Sequence, residues 1–268
     1  LLTLFWIFYA LPGILLRIPY IQNKVSEVAT TQLSGHLGVP VKIGNVDIEW
    51  FNRLVLEGLY LEDQDGKVMF EANHVAAGFE IMPLLEGKFV FTTVRLFGFS
   101  FNLRKHTPQS PLNLQFVIDA FASKDSIKKE KNIDLRFNSI MIRRGNFSYN
   151  VDSEKETPGK FNAKHIDIKN LSAKISLKAF NKDSVNAHIK KMSFDEASGF
   201  SLNKLSLNVV GNRDSAFVQD FEVRLPQTDL KIGRARIDLS EIDSLPALLN
   251  NAPIDLNITP SQICLKDL

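Results

Sequence analysis

"NVDIEWFNRLVLEGLYLEDQDGK", residues 45 to 67, sets the reading of the whole chain. Apolar residues recur at every second position through Val46, Ile48 and Trp50, again through Leu54 and Leu56, and again through Leu59 and Leu61. A turn-like Asp63-Gln64-Asp65-Gly66 follows. A period of two marks a half-buried strand, and the Asp-Gly pair marks a turn. The stretch therefore reads as strand, kink, strand, turn. It is one face of a long sheet, and that face meets either a protein core or something else apolar.

The same alternation continues on both sides. It runs through Val75, Ala77, Phe79 and Ile81, then Phe89 and Phe91, then Phe97, Phe99, Phe101 and Leu103, with turn signals at Asp65-Gly66 and Glu86-Gly87. Such turns join sequential strands as antiparallel neighbours. "RKHTPQSP", residues 104 to 111, breaks the pattern, and "LNLQFVIDAFA", residues 112 to 122, places Leu114, Val117, Ile118 and Phe121 on one helical stripe. After Ile133 the ladder resumes and runs nearly to the last residue. "TVRLFGFSFNL", "SIMIRRGNFSY" and "HIDIKNLSAKI" each read as a short alternating strand, a small or polar pivot, and another such strand. This weak repeat suits units stacked in one dimension.

Roughly 13 strands at about 4.8 Å spacing give a sheet on the order of 60 Å wide. Apart from residues 112–122 and about 243–250, helical segments to cover its apolar face are missing, so the sheet is expected to fold over on itself. The halves then meet as a filled sandwich or leave an apolar groove. The expected fold class is mainly β: an N-terminal transmembrane helix, then an elongated, curved antiparallel β-sheet with one or two short amphipathic helices.

"LLTLFWIFYALPGILL", residues 1 to 16, contains no charged side chain, and Arg17 closes it. At 1.5 Å per residue this is about 24 Å of helix, short of a full span. Because the chain opens on Leu1, residues 1–18 read as the end of a transmembrane helix that begins upstream. A cleaved secretory signal is the rival reading, weakened by the lack of an A-x-A-like site after Arg17. In residues 19–38, Ile21, Val25, Val28 and Leu33 recur at helical spacing, with Gly35, Gly38 and Pro40 to stop the helix. This amphipathic helix either plugs the end of the sheet, the favoured reading, or lies on the bilayer surface. Residues 39–132, with the inserted helix 112–122, and residues 133–268 complete the expected organisation, the second segment being cut short at its end.

Composition excludes more than it assigns. With 32 Lys and Arg against 30 Asp and Glu, the formal charge of +2 and the absence of a basic block argue against nucleic acid as a partner. The single Cys264 forms no internal disulfide. Twenty Phe against 4 Tyr and 2 Trp favour dry contacts over hydrogen-bonded ones. His36, His74, His106, His165 and His188 are scattered, without H-x-x-x-H or H-E-x-x-H spacing, so no metal site or other cofactor is expected. No G-x-G-x-x-G, P-loop or G-x-S-x-G occurs. The chain is not expected to be an enzyme.

The order of a membrane helix, an amphipathic helix ending in "LGVPVKIGNVDIEWFNRLVLEGLYLED", the "NLQFVIDAF" helix, "MSFDEASGFSLNKLSLNV" and "IDLNITPSQICLKDL" resembles the N-terminal part of the AsmA-like/TamB proteins of diderm bacteria. The likeness covers nearly the whole chain and rests on order and spacing, since each motif is mostly strand pattern. It implies a single-pass inner-membrane anchor and a periplasmic β-groove, the β-taco of bridge-like lipid transfer proteins, serving outer-membrane biogenesis. It also implies a longer C-terminal region reaching an outer-membrane partner of the BamA type. The implied ligands are phospholipid acyl chains. Val46, Ile48, Leu54, Leu56, Phe79, Phe97, Phe99, Phe101 and Phe137 are the candidate lining residues, ordinary sandwich core being the alternative for each. A scaffold for envelope assembly that pairs client strands on its edges, and a closed structural β-sandwich, are the rival functions.

Overall fold

The alternating segments pair, in chain order, into one mixed sheet. The computed structural model describes residues 18–49, 52–85, 89–121, 133–180, 184–212, 214–238 and 254–267. Among these, twelve strands form a single sheet: β1 (Val41–Lys42), β2 (Asn45–Glu49), β3 (Arg53–Glu62), β4 (Val68–Phe79), β5 (Phe89–Lys105), β6 (Ile133–Val151), β7 (His165–Phe180), β8 (Ser184–Glu196), β9 (Ser201–Asn212), β10 (Ser215–Arg224), β11 (Asp229–Asp238) and β12 (Ile254–Ile258). β1 and β2 both pair with β3, and from β3 to β12 each strand pairs with the next. β12 does not return to pair with β1, so the sheet is not closed. Eleven strands along one path give a width of about 50 Å. Three α-helices accompany it: α1 (Pro19–Leu37), α2 (Ile81–Leu85) and α3 (Gln115–Phe121), with a 3₁₀ turn at Leu265–Asp267.

Helix α1 starts at Pro19, where a missing N–H costs nothing, after Ile18 in extended backbone (φ −80°, ψ 118°). It stops at Gly38, whose φ of +70° is left-handed and whose N–H donates to Ser34 O at 2.8 Å. Val25, Ala29, Leu33 and Leu37, one residue per turn, pack on the buried Val41, Ile43 and Val46. Leu54, Leu56, Leu59 and Leu61 of β3 join this cluster. The helix thus covers the β1–β3 end of the sheet. Val28, expected on the packing stripe, points away and is 59% exposed.

One join departs from the expected antiparallel ladder. β5 and β6 run parallel, Phe89 beside Ile133 and Lys105 beside Val151. Parallel neighbours require a crossover of a dozen or more residues, which residues 106–132, with α3 within them, supply. A polar clamp pins the start of this crossover. Asn113 Nδ2 donates to Asp63 Oδ2 at 3.0 Å and to Asn102 O at 3.1 Å, and the Arg104 N–H donates to Asn113 Oδ1 at 2.9 Å. The crossover then touches α1 through His36 Nε2 and Ala120 O, 2.9 Å apart.

Several expected features lie outside the described residues: the anchor over residues 1–17, the Glu86-Gly87 turn and the helix near 243–250. Among the described residues no helix is long and apolar enough to cross a membrane.

Candidate functional site

Residues paired across neighbouring strands share a face of the sheet, and along a strand the face alternates. Following the pairs outward from the α1 cluster therefore traces one face, here called the helix side. Val46 pairs with Leu56 and Ile48 with Leu54; these continue to Val75 and Ala77 on β4, Leu96 and Val94 on β5, and Ile142 and Ile140 on β6. Towards the other ends of the strands the helix side runs through Leu61, Phe70, Phe101 and Phe147. The two series are out of phase. Leu56 is followed by Leu59, Leu96 by Phe99, Ile142 by Gly145 and Ile168 by Leu171, a step of three where alternation gives two. The same single step occurs at Ala72/Val75, Ile189/Met192, Leu202/Leu205, Val218/Phe221 and Ile232/Ala235, so every strand from β3 to β11 carries one.

Backbone conformation explains the step. Gly58, Gly98, Arg144, Asn170 and Asp220 sit at these points with φ of +61°, +55°, +51°, +56° and +52°. A left-handed residue in a strand flips the side-chain phase. Arg144, Asn170 and Asp220 fall at register shifts toward β7, β8 and β9, bulges that bend the strand and sharpen its twist. Gly58 and Gly98 instead face Asn73 and Arg144 with the register kept, so β3 to β6 change phase together. β4, β8, β9 and β11 step without a left-handed residue, at unpaired positions such as Asn73 and Gly233. The outcome is an apolar helix side kept continuous across a transverse crease.

The crease reassigns one candidate. Phe99 and Phe101 lie on the helix side, but Phe97, just before Gly98, faces the opposite way. It pairs with His74 and Arg143; the His74 ring stands edge-on at 5.5 Å and the Arg143 guanidinium lies 5.9 Å from its centroid. Val46, Ile48, Leu54 and Leu56 are on the helix side but at the end covered by α1, and Val46 is 6% exposed. Phe79 follows Ala77 on the helix side and pairs with Phe91. The side chain of Phe137 lies outside the described residues.

Sequence alternation missed two members, Phe70 and Phe147. Phe70 contacts Phe99 and Phe101 at centroid distances of 6.2 and 5.7 Å, and Phe101 meets Phe147 edge-on at 6.2 Å. Phe99, 6% exposed, lies over Gly145, where a Cβ would stand 2.2 Å from its Cε1. Only glycine admits the ring there. The pivot at Arg144 was the available signal, since Phe147 and Tyr149 take up the apolar phase just after it.

Burial along this face is partial. Its deeply buried members beyond the α1 end are the small Ala72, Ala173, Ala216 and Ala235 together with Phe99, Val151, Leu202 and Leu225. Phe79, Leu96, Phe101, Ile142, Phe147, Ile189, Met192, Leu207 and Phe221 are only half-buried. A sheet packed against a second layer buries its large apolar side chains and exposes few. The opposite face is mixed, with Val55, Met69 and Ala76 buried on β3 and β4 and polar and cationic rows beyond them. Arg95 pairs with Met141, Met141 with Lys174 and Lys174 with Lys191 in one row, and Ser148 Oγ donates to Asn102 Oδ1 at 2.8 Å in another.

The polar groups serve the strand ends. Asp63, 2% exposed, caps the β3–β4 turn by accepting from the Asp65 and Lys67 N–H groups at 3.0 and 2.9 Å, and it meets Arg104 at 2.9 Å. Burial pushes its carboxyl up, but the hydrogen bonds from Asn113, Lys67 and Arg104 outweigh this and hold it below its ordinary value. Arg104 also reaches Asp65 and Asp152, and His106 bridges the same two carboxylates at 3.2 and 3.3 Å. Glu196 caps the β8–β9 turn through the Ser198 N–H at 2.8 Å. Burial raises it, and the bonds from Ser198, Asp167 and Ala197 bring it lower overall. A polar concavity of about 580 Å³ under residues 156–160 contains His165, both of whose ring nitrogens are engaged, by Asn150 and by Glu154 O. Among the described residues no group of three His, Cys, Asp or Glu is arranged to hold a metal.

Comparison of the chain with protein-family models and with curated protein sequences gives no match.

Proposed function

We propose that this chain is a membrane-anchored lipid-transfer protein of the AsmA-like/TamB kind, whose helix side carries phospholipid acyl chains between the inner and outer membranes. One observation supports the reading most strongly: an apolar face continuous from β3 to β11, many of whose large side chains, such as Leu96, Phe101, Phe147, Leu207 and Phe221, stay only partly buried. An acyl chain crossing water exposes about 0.8 kcal/mol per methylene, so a two-chain lipid faces a cost on the order of 20 kcal/mol. A continuous apolar lining removes that cost, while the polar and cationic rows of the opposite face meet water. The crease gives the trough its curvature, since bulges bend sheets and sharpen their twist. In this reading residues 1–18 form the inner-membrane span, the sheet is periplasmic, and the sequence resemblance supplies the direction toward an outer-membrane partner of the BamA type.

A scaffold function rests on a different feature, the outer edge of β12, which pairs with no strand among the described residues and could take up an added strand. Photocrosslinking separates the two. With p-benzoylphenylalanine in place of Leu207 on the helix side and of His188 on the opposite face, the transfer reading expects lipid adducts at position 207 and none at 188. Protein adducts at 207, or lipid at both positions alike, would remove it.

A further inference from the structure

The N-terminal half of α1 carries an apolar surface that the sheet does not cover. Ile18 is 44% exposed, Tyr20 71% and Val28 59%, and with Ile21 they form one side of the helix, edged by Lys24 and by Val25, which itself packs on the sheet. The sheet takes the other stripe, Val25, Ala29, Leu33 and Leu37, which lies mainly in the C-terminal half. Chain direction matters here. Ile18 is extended and Pro19 opens the helix, so α1 does not continue any preceding helix, and its axis is set by packing on β1 and β2. Residues 1–16 carry no charge, and Pro19 lies within about 7 Å of Arg17.

We propose that the N-terminal half of α1 lies in the plane of the bilayer headgroups, with Ile18, Ile21 and Val28 turned toward the acyl boundary. The proposal rests on the reading of residues 1–16 as an anchor. If α1 stood along the membrane normal, Val28 would lie about 14 Å beyond Pro19, in water, and its exposed apolar side would have no occupant. Lying flat, the helix places the whole stripe at one depth. Tyr20 and Lys24 flank it with side chains that have apolar stems and polar tips, the arrangement that suits a headgroup layer. The acidic partner of Lys24 is Glu27, 2.7 Å away, and the first turn contains no acid of its own. The same helix is thereby a plug over the β1–β3 end on one side and a bilayer contact on the other, which fixes how the sheet meets the membrane.

The test uses the full chain with Cys264→Ser, carrying one new cysteine labelled with NBD at Val28→Cys, at Asn23→Cys on another side of α1, or at Lys191→Cys on the sheet. Each is reconstituted into phosphatidylcholine/phosphatidylglycerol vesicles, with and without lipid bearing a doxyl quencher near the headgroup. The Val28 probe is expected to emit blue-shifted and to be quenched at least threefold more than the other two. An unquenched Val28 probe in chains that float with the vesicles would overturn the proposal while leaving the anchor standing. So would a blue-shifted but unquenched probe, because protein then covers the stripe. Chains that do not float would overturn the anchor itself, and the proposal with it.

Discussion

Replacing Gly145 by alanine tests the packing that seats the aromatic cluster. The added Cβ would stand 2.2, 2.4 and 3.0 Å from Phe99 Cε1, Cζ and Cδ1, where real contacts need well over 3 Å. The ring must retreat by more than 1 Å, yet Phe70 packs against it at 6.2 Å. Overpacking of this kind costs about 1–3 kcal/mol. Swinging the ring out would instead give up burial worth about 2–3 kcal/mol. Against either stands about 0.5–1 kcal/mol gained by removing glycine from a strand. The net expectation is a loss of about 1–2 kcal/mol. With a urea dependence of about 2–3 kcal/mol per molar, the midpoint followed by circular dichroism falls by about 0.5 M. Phe99→Leu should make Gly145→Ala nearly harmless, with a coupling of at least about 1 kcal/mol in the double-mutant cycle. A neutral or stabilising Gly145→Ala in the presence of Phe99, or strict additivity of the pair, would refute the argument.

Further outcomes follow from the crease and the strand ends. Arg144 holds φ +51° without glycine's freedom, so Arg144→Gly should raise the urea midpoint by the equivalent of up to about 1 kcal/mol, and a lowered midpoint would show that its side chain matters more than its backbone. Asp63→Ala strips the turn cap and one of three carboxylates from Arg104; because Asp65 and Asp152 remain, the loss should be about 2–3 kcal/mol, below that of a fully broken buried pair. Asp63 and Glu196 are both held below their ordinary values of 3.8 and 4.5. Folding therefore draws stability from their ionised forms above those values, and that stability declines as pH falls through and below them. A urea midpoint measured at pH 6 and pH 3 should drop less in Asp63→Asn than in the natural chain, and equal drops would contradict the assignment.

Much of this architecture is readable in the sequence because alternation is a direct consequence of pleating. The pivots in "TVRLFGFSFNL", "SIMIRRGNFSY" and "HIDIKNLSAKI" mark the left-handed residues Gly98, Arg144 and Asn170. The phase flip at each pivot is the part that strict alternation hides: it carries Phe97 to the opposite face and brings Phe147 onto the helix side. Arg144 and Asn170 give weak local signals, since a left-handed arginine is forced by its place in the sheet and not by its own preference. The parallel join of β5 and β6 is equally hidden, because the clamp of Asp63, Arg104 and Asn113 assembles residues from distant segments. On α1 the spacing of Ile21, Val25, Val28 and Leu33 marks the helix, and Val25 and Leu33 do pack on the sheet, but Val28 faces away. The packed stripe drifts along the helix through Val25, Ala29, Leu33 and Leu37.

The most direct test of the central claim is native mass spectrometry of the full chain, purified in mild detergent, comparing Phe101→Glu with Phe97→Glu. These residues lie four apart on one strand and face opposite ways. The transfer account predicts co-purified phospholipid in the natural chain and in Phe97→Glu, and its loss in folded Phe101→Glu. A folded natural chain free of lipid, or lipid held equally by both variants, would contradict it.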